Sequence, residues 1–411
     1  MTGNAAPELH RLPDALRSRQ PYPVLARLRE ASPFLASDGV VILAKHRHCT
    51  DLLRDGRVSS DRNSARIYHG SDTVKTRNLL NLDPPDHTRI RRLISRAFTP
   101  RVMARLVPVI QRKTDELIDA AADSGTIDIV AGLASPLPLA MICMLLGIPG
   151  ADHQALGEWS SALSATLDPP WLARHEPRSV AAAARAQAKM IAYFRAFIAS
   201  QRTAARDNLT ADLVRAEGDG GQLSESELLA ACVMLVNAAH ETTVNLIANG
   251  VHALVSHPGQ LSRLKKDPAL ATAVVEEVLR YDAPVQLTGR VATQDISIDG
   301  YGIERGDLLM FLIGAANRDP HAFRAPDEFD IDRPPPIAHL AFAAGPHFCL
   351  GASLGRLEGA IALKTFASRF VDPRLCAEQL EYKANLSLRG PERVEITFTD
   401  LRPSACVPRL P

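Results

Sequence analysis

The chain reads as a mainly α-helical protein with small accessory β-sheets. Helix-period apolar spacing recurs over Arg101–Ala122, Ser179–Arg202 and Ala269–Tyr281, whereas β-branched or alternating runs are confined to Val40–Leu43 and Ile296–Phe311. The second of these runs is cut by Asp299-Gly300 and Arg305-Gly306, the punctuation of hairpin turns. No repeat, low-complexity tract or linker divides the chain, so residues 1–411 are expected to form one domain.

Taken in order, the N-terminal MTGNAAPELHRLPDALRSRQPYP has no apolar run approaching the ~20 residues of a spanning helix. A cytoplasmic protein without a membrane anchor is expected. Ser59–Asn81, rich in Ser, Asp, Arg and Asn, and Leu167–Ser179, with Asp168-Pro169-Pro170, read as surface loops of the kind that carry ligand contacts on a rigid scaffold. Pro84 and Pro85 suit a helix start, and on that helix His87 and Arg91 lie one turn apart, with Arg89, Arg92 and Arg96 on another face. Ser224 and Glu227 form a capping box, after which apolar residues run nearly all round to His257-Pro258. A buried helix of ~32 residues, roughly 48 Å long, follows from that pattern. Glu277 and Arg280 share a face of the next strongly periodic segment, and a last helix is expected over Ala352–Ser368.

Charge excludes some functions. Lysine plus arginine number 47 against 46 acidic residues, a net charge of +1 that argues against a nucleic-acid binder. Six cysteines without CxxC pairs fit reduced thiols better than a disulfide framework or a zinc site.

Two places carry chemistry. Cys349 sits in Phe342-Ala343-Ala344-Gly345-Pro346-His347-Phe348-Cys349-Leu350-Gly351, a Gly-containing turn just before a helix. Backbone N–H groups and the positive helix end there are expected to favour thiolate over thiol, as an iron ligand requires. The second place is Asn237-Ala238-Ala239-His240-Glu241-Thr242-Thr243, a polar island in the middle of the long apolar helix. A carboxylate and two hydroxyls buried there are costly unless they have partners or a purpose.

These segments, with Glu277-x-x-Arg280, Phe329-Asp330-x-x-Arg333 and His87-Thr88-x-x-Arg91, resemble the cytochrome P450 family in kind and in order along the chain. The likeness extends from the Asp83 helix to Leu388-Arg389-Gly390 and includes Ala316-Asn317-Arg318-Asp319-Pro320. It implies the family's fold, a triangular helical prism with the long helix over a haem. It also implies a soluble bacterial-type haem-thiolate monooxygenase, which inserts one oxygen atom from O2 into a small hydrophobic substrate by hydroxylation or epoxidation. A tailoring step in bacterial secondary metabolism fits that chemistry.

Carried across residue by residue, the resemblance makes Cys349 the axial ligand of haem b, with Phe342 and Gly351 beside it. His87, Arg91, Arg290 and His347 become partners of the haem propionates. Glu241 becomes the acid of a proton-delivery pair, Thr242 the hydroxyl that bonds dioxygen or its water. Glu277, Arg280 and Arg333 are assigned to folding and haem retention. Ile67, Tyr68, Leu235, Ala238, Ala239, Val285 and Leu287 are expected to wall the substrate pocket, while Arg66, His69 and Arg77 offer anchors for a carboxylate. Ala239 and Ala343 stand where the family usually has glycine.

No flavin or reductase sequence is fused to the chain, so electrons from NAD(P)H are expected to arrive through a ferredoxin and its reductase, docked near Arg89, Arg92 and Arg96. A monomer is expected. An oxidative coupling, cyclising or peroxide-using haem enzyme stays open as an alternative, as does a non-catalytic haem sensor or carrier.

Overall fold

The Glu225–Ser256 helix, 32 residues long, organises the molecule. Its start is the expected capping box: the Ser224 hydroxyl accepts the Glu227 N–H, and the Glu227 carboxylate accepts the Ser224 N–H. The computed structural model describes residues 9–404 except 38, 69–76, 123, 174, 203–207, 219–222, 335–337 and 378–379.

Helices Pro136–Leu146, His153–Ser164, Pro177–Arg202, Ala271–Tyr281 and Ala352–Arg369 all pack against the long helix. One apolar cluster joins Val244, Ile247, Ala248 and Val251 of the long helix to Val274, Val278, Leu363 and Phe366. A second joins Leu228, Cys232, Leu235 and Val236 to Met190, Phe194 and Ile198. Fully burying one such aliphatic or aromatic side chain is worth about 1.5–3 kcal/mol, so these two clusters clamp the helix along its length.

The expected helices shift at their ends for local reasons. Pro100 and Pro177 begin the helices read as starting at Arg101 and Ser179, since proline at a first helical turn forfeits no internal hydrogen bond. Before Ala271–Tyr281, Pro268–Leu270 winds as a 3-10 turn whose entry is capped by the Asp267 carboxylate on the Ala269 N–H.

The largest sheet has five strands in the order Phe34–Ser37, Val40–Leu43, Leu308–Leu312, Leu287–Ala292, Val58–Ser59. Val40–Leu43 runs parallel to Leu308–Leu312, and the other pairings are antiparallel. The stretch read as Ile296–Phe311 resolves into the hairpin Ile296–Ile298 and Tyr301–Ile303, then the buried strand Leu308–Leu312. Asp299 at φ 48 and Gly300 at φ 78 make the left-handed turn that such a two-residue hairpin demands.

A buried ionic web braces the Ala271–Tyr281 helix against the chain segment 317–333. Arg280 donates to both carboxylate oxygens of Glu277 at 2.8 Å and to the carbonyls of Asn317, Pro326 and Glu328. Arg333 reaches the same carboxylate at 3.1 Å, and the Asp330 N–H adds a bond at 2.8 Å. The five cysteines among the described residues are free. Among these residues, no helix is long and apolar enough to cross a membrane.

Candidate functional site

A cavity of about 1380 Å³ lies between the long helix and the turn that carries Cys349. Residues Asn237, Ala238, Ala239, Thr242 and Thr243 line it from the helix, while residues from Leu340 to Gly351 line it from the turn.

The turn is built residue by residue. Gly345–His347 is one 3-10 turn, and the Cys349 N–H donates to the Phe342 carbonyl at 2.9 Å, closing a loop around the thiol. Gly345 has φ 71 and presses on the 46–54 helix, so a Cβ there would lie 2.4 Å from the Leu53 carbonyl oxygen. Ala343 also holds φ 57, a left-handed conformation that an alanine adopts at a cost of about 1–2 kcal/mol. The helix Ala352–Arg369 follows directly.

The accessible surface of Cys349 opens into the cavity although protein surrounds the residue otherwise. Burial pushes its thiol above the usual range, while the Gly351 N–H and the fields of Arg91 and Arg356 pull it down.

Across the cavity, the Thr242 hydroxyl donates to the Ala238 carbonyl at 2.8 Å, one turn back along its own helix. Glu241 does not line the cavity. Its carboxylate is bound by the ammonium of Lys383, which also donates to the Asn245 side-chain oxygen at 2.9 Å. His240 is buried with its Nε2 at 3.3 Å from the Ser135 hydroxyl, and burial depresses its pKa.

At one edge of the cavity the imidazoles of His87 and His347 lie with ring centroids 4.0 Å apart. Burial lowers both, His347 to about 3, so both are neutral at physiological pH. Arg91 donates to the Phe348 carbonyl at 2.7 Å, tying the Asp86–Ile94 helix to the cysteine turn. Arg290 donates to the Gly289 carbonyl at 2.7 Å and is pushed down to about 10, first by burial and then by Arg62. The four residues read as propionate partners therefore meet at one place. The His87 Nε2 is buried there without a hydrogen-bond partner.

This arrangement fits a flat, anionic cofactor. A sulfur faces the cavity from one wall, small alanines line the other, and guanidiniums with an unpartnered imidazole nitrogen wait at an edge for acceptors.

Tyr68, Leu235, Ala238, Ala239, Val285 and Leu287 line the cavity as expected. Ile67 is not among the lining residues; half-buried, it packs against the apolar cluster that includes Leu287, Leu308 and Met310. Of the residues read as carboxylate anchors, Arg77 lines the cavity and also pairs with Asp86 at 3.2 Å, Arg66 is bound by Glu304 and Asp307, and His69 lies outside the described residues. Arg89 is engaged by Glu227 and by Asp86, which leaves Arg92 and Arg96 as the exposed arginines of that face.

Three cavity or near-cavity residues escaped the sequence reading: Arg62, Lys383 and Glu358. Glu358 lines the cavity 1% exposed, its Oε1 without a partner, and burial raises its carboxyl to about 8. A carboxylate in the apolar run after Cys349 was the one available signal for it.

Comparison with known proteins agrees with this geometry. The family model Cytochrome P450 matches residues 32–371. The chain is 38% identical to cytochrome P450 monooxygenase PikC of Streptomyces venezuelae, over 92% of this chain and 91% of the relative. It is 34% identical to the polyketide biosynthesis cytochrome P450 PksS of Bacillus subtilis, over 92% and 96%. The crystal structure of Mycobacterium smegmatis CYP164A2 in its ligand-free state superposes with a TM-score of 0.90 at 41% identity, covering 96% of this chain and 100% of that one.

Proposed function

The chain belongs to the cytochrome P450 family of oxygen-incorporating haem enzymes, and we propose that Cys349 would hold the haem through its sulfur while the Asn237–Thr243 segment faces the substrate from the opposite wall. One observation carries this reading: Cys349 and Thr242, remote in sequence, line the same cavity.

When bound, the haem supplies dioxygen reduction and transfer of one oxygen atom to the substrate. The chain's own residues hold and shape the site. Cys349 would hold the haem iron as its thiolate, the form that binds a metal. Arg91 and Arg290 would bind the propionates, with His87 and His347 adding hydrogen-bond donors at the same edge. Thr242 would turn its hydroxyl from the Ala238 carbonyl into the cavity to pass a proton, and Glu241, released from Lys383, would take a proton from solvent and hand it to the emptied hydroxyl. Tyr68, Leu235, Ala238, Val285 and Leu287 exclude water and place the substrate.

The apolar lining fits a small hydrophobic substrate, hydroxylated or epoxidised as a tailoring step of bacterial secondary metabolism. Residues 1–411 act as one catalytic domain, monomeric and cytoplasmic. A ferredoxin and its reductase deliver electrons from NAD(P)H, docking on the face that presents Arg92 and Arg96. Charge reversal of both arginines should weaken ferredoxin-supported turnover and flatten its salt dependence.

The deciding experiment is the visible spectrum of the purified protein, titrated with a panel of apolar natural-product scaffolds. A saturable shift of the haem band with one scaffold, abolished together with the thiolate spectrum in Cys349→Ser, is the expected result. Well-folded protein without a haem band would overturn it.

A further inference from the structure

Arg62 opens the 3-10 turn Arg62–Ser64, and its side chain lies along the strand Leu287–Ala292. A Cβ on Gly289 would come within 3.2 Å of the Arg62 Cδ, so the glycine is what lets the aliphatic stem of Arg62 pack against the strand. From there it lines the cavity beside Thr288, Gly289 and Arg290. Arg62 is an exposed residue, and part of that exposed surface borders the cavity.

No hydrogen bond or ion pair reaches this guanidinium from the described residues. The neighbouring acids are engaged elsewhere: the Asp61 carboxylate accepts the Asn63 N–H at 3.2 Å, and Asp83 accepts the Ser59 hydroxyl and the Ser60 N–H. Tyr68 is the nearby group whose field favours the charge of Arg62, and it is a phenol. Its five N–H donors therefore border the cavity with no acceptor among the described residues, and an occupant is the group left to supply one.

We infer that Arg62 is a carboxylate-binding residue of this cavity, taking an oxygen of the occupant's carboxylate in its fork. This deepens the haem reading and rests on it. The carboxylate has two sources, a haem propionate or an acidic substrate.

Charge favours the propionate. Arg62, Arg91 and Arg290 gather three guanidiniums at this edge, and Asp83 is the carboxylate whose field reaches Arg290. Two positive charges are left over, matching the two propionates of one haem. The planar fork also matches a carboxylate in both oxygens, which a lysine does not.

The test uses the haem-loaded protein with Arg62→Gln and Arg62→Lys. Haem loss is timed by transfer to excess apomyoglobin, and dodecanoic acid and dodecan-1-ol are titrated against the haem band. Loss of haem faster by about tenfold or more in Arg62→Gln, with partial recovery in Arg62→Lys, assigns the propionate. Unchanged haem loss with a similar weakening of dodecanoic acid, but not of dodecan-1-ol, assigns the substrate. Haem loss within about twofold of wild type and no acid-specific effect overturns the inference. If Arg62→Gln does not fold, Arg62→Lys carries the same comparison, because it keeps the charge and removes the fork. Cys349→Ser separates the two failures: a thiolate spectrum surviving that change sinks the haem reading whatever Arg62 does.

Discussion

The carboxylate of Glu241 and the ammonium of Lys383 form an ion pair across 142 residues of sequence. Lys383 is held in place by its own backbone, whose N–H donates to the Gly390 carbonyl at 3.1 Å. The acid expected to feed protons to the cavity is thus restrained outside it, and its release becomes a step of its own. Lys383→Met leaves a carboxylate that is 7% exposed without its cation. We expect a loss of about 2 kcal/mol in thermal stability and a smaller yield of product per reductant consumed. Glu241→Gln should lower turnover about 100-fold. In a double-mutant cycle the two changes should be strongly non-additive, and additive effects would show that the pair has no functional coupling.

The buried Glu277 serves two arginines at once. Glu277→Gln leaves Arg280 and Arg333 without their counter-charge in a web where Glu277 and Arg280 side chains are 4% and 3% exposed. A loss of about 3–5 kcal/mol is expected. Because the web sits outside the cavity, haem-loaded variant that does fold should keep an unchanged haem band. A shifted band at normal stability would place Glu277 in the chemistry instead.

Ala343 answers differently. At φ 57 its methyl group is a liability that glycine lacks, so Ala343→Gly should raise stability by about 1 kcal/mol. Gain in unfolded-state entropy opposes part of this. Chemical denaturation measures it, and a destabilised variant would mean that the methyl group's contacts outweigh the backbone strain.

What was legible in the sequence follows from range. The capping box of Ser224 and Glu227 and the Asp299-Gly300 turn are encoded within four residues and appear where expected, and Pro84 and Pro85 come directly before the helix Asp86–Ile94. The cysteine turn and the polar island were legible as residue types in unusual places. Lys383 and Arg62 were not, since an isolated cation says nothing about what the fold brings beside it. Ile67 shows the limit of reading a loop residue by residue: in the turn Arg66–Tyr68, Tyr68 lines the cavity while Ile67 packs against the apolar cluster beside it.

Glu358 makes stability depend on pH in a direction that can be worked out. Its carboxyl is raised by burial from 4.5 to about 8, so between those values the folded protein holds a proton that the unfolded chain has released. The unfolded chain binds fewer protons in that window, and stability therefore falls as pH rises. The contribution is fully present below about pH 4.5 and is lost by the time pH passes 8, at about 1.4 kcal/mol for each unit. Glu358→Gln keeps the shape and removes the titration. Melting temperatures of the haem-loaded proteins should converge at pH 5 and separate at pH 8, with the variant the more stable. Parallel pH profiles would mean that Glu358 is ionised in the folded protein and has found a cation or water inside the cavity wall.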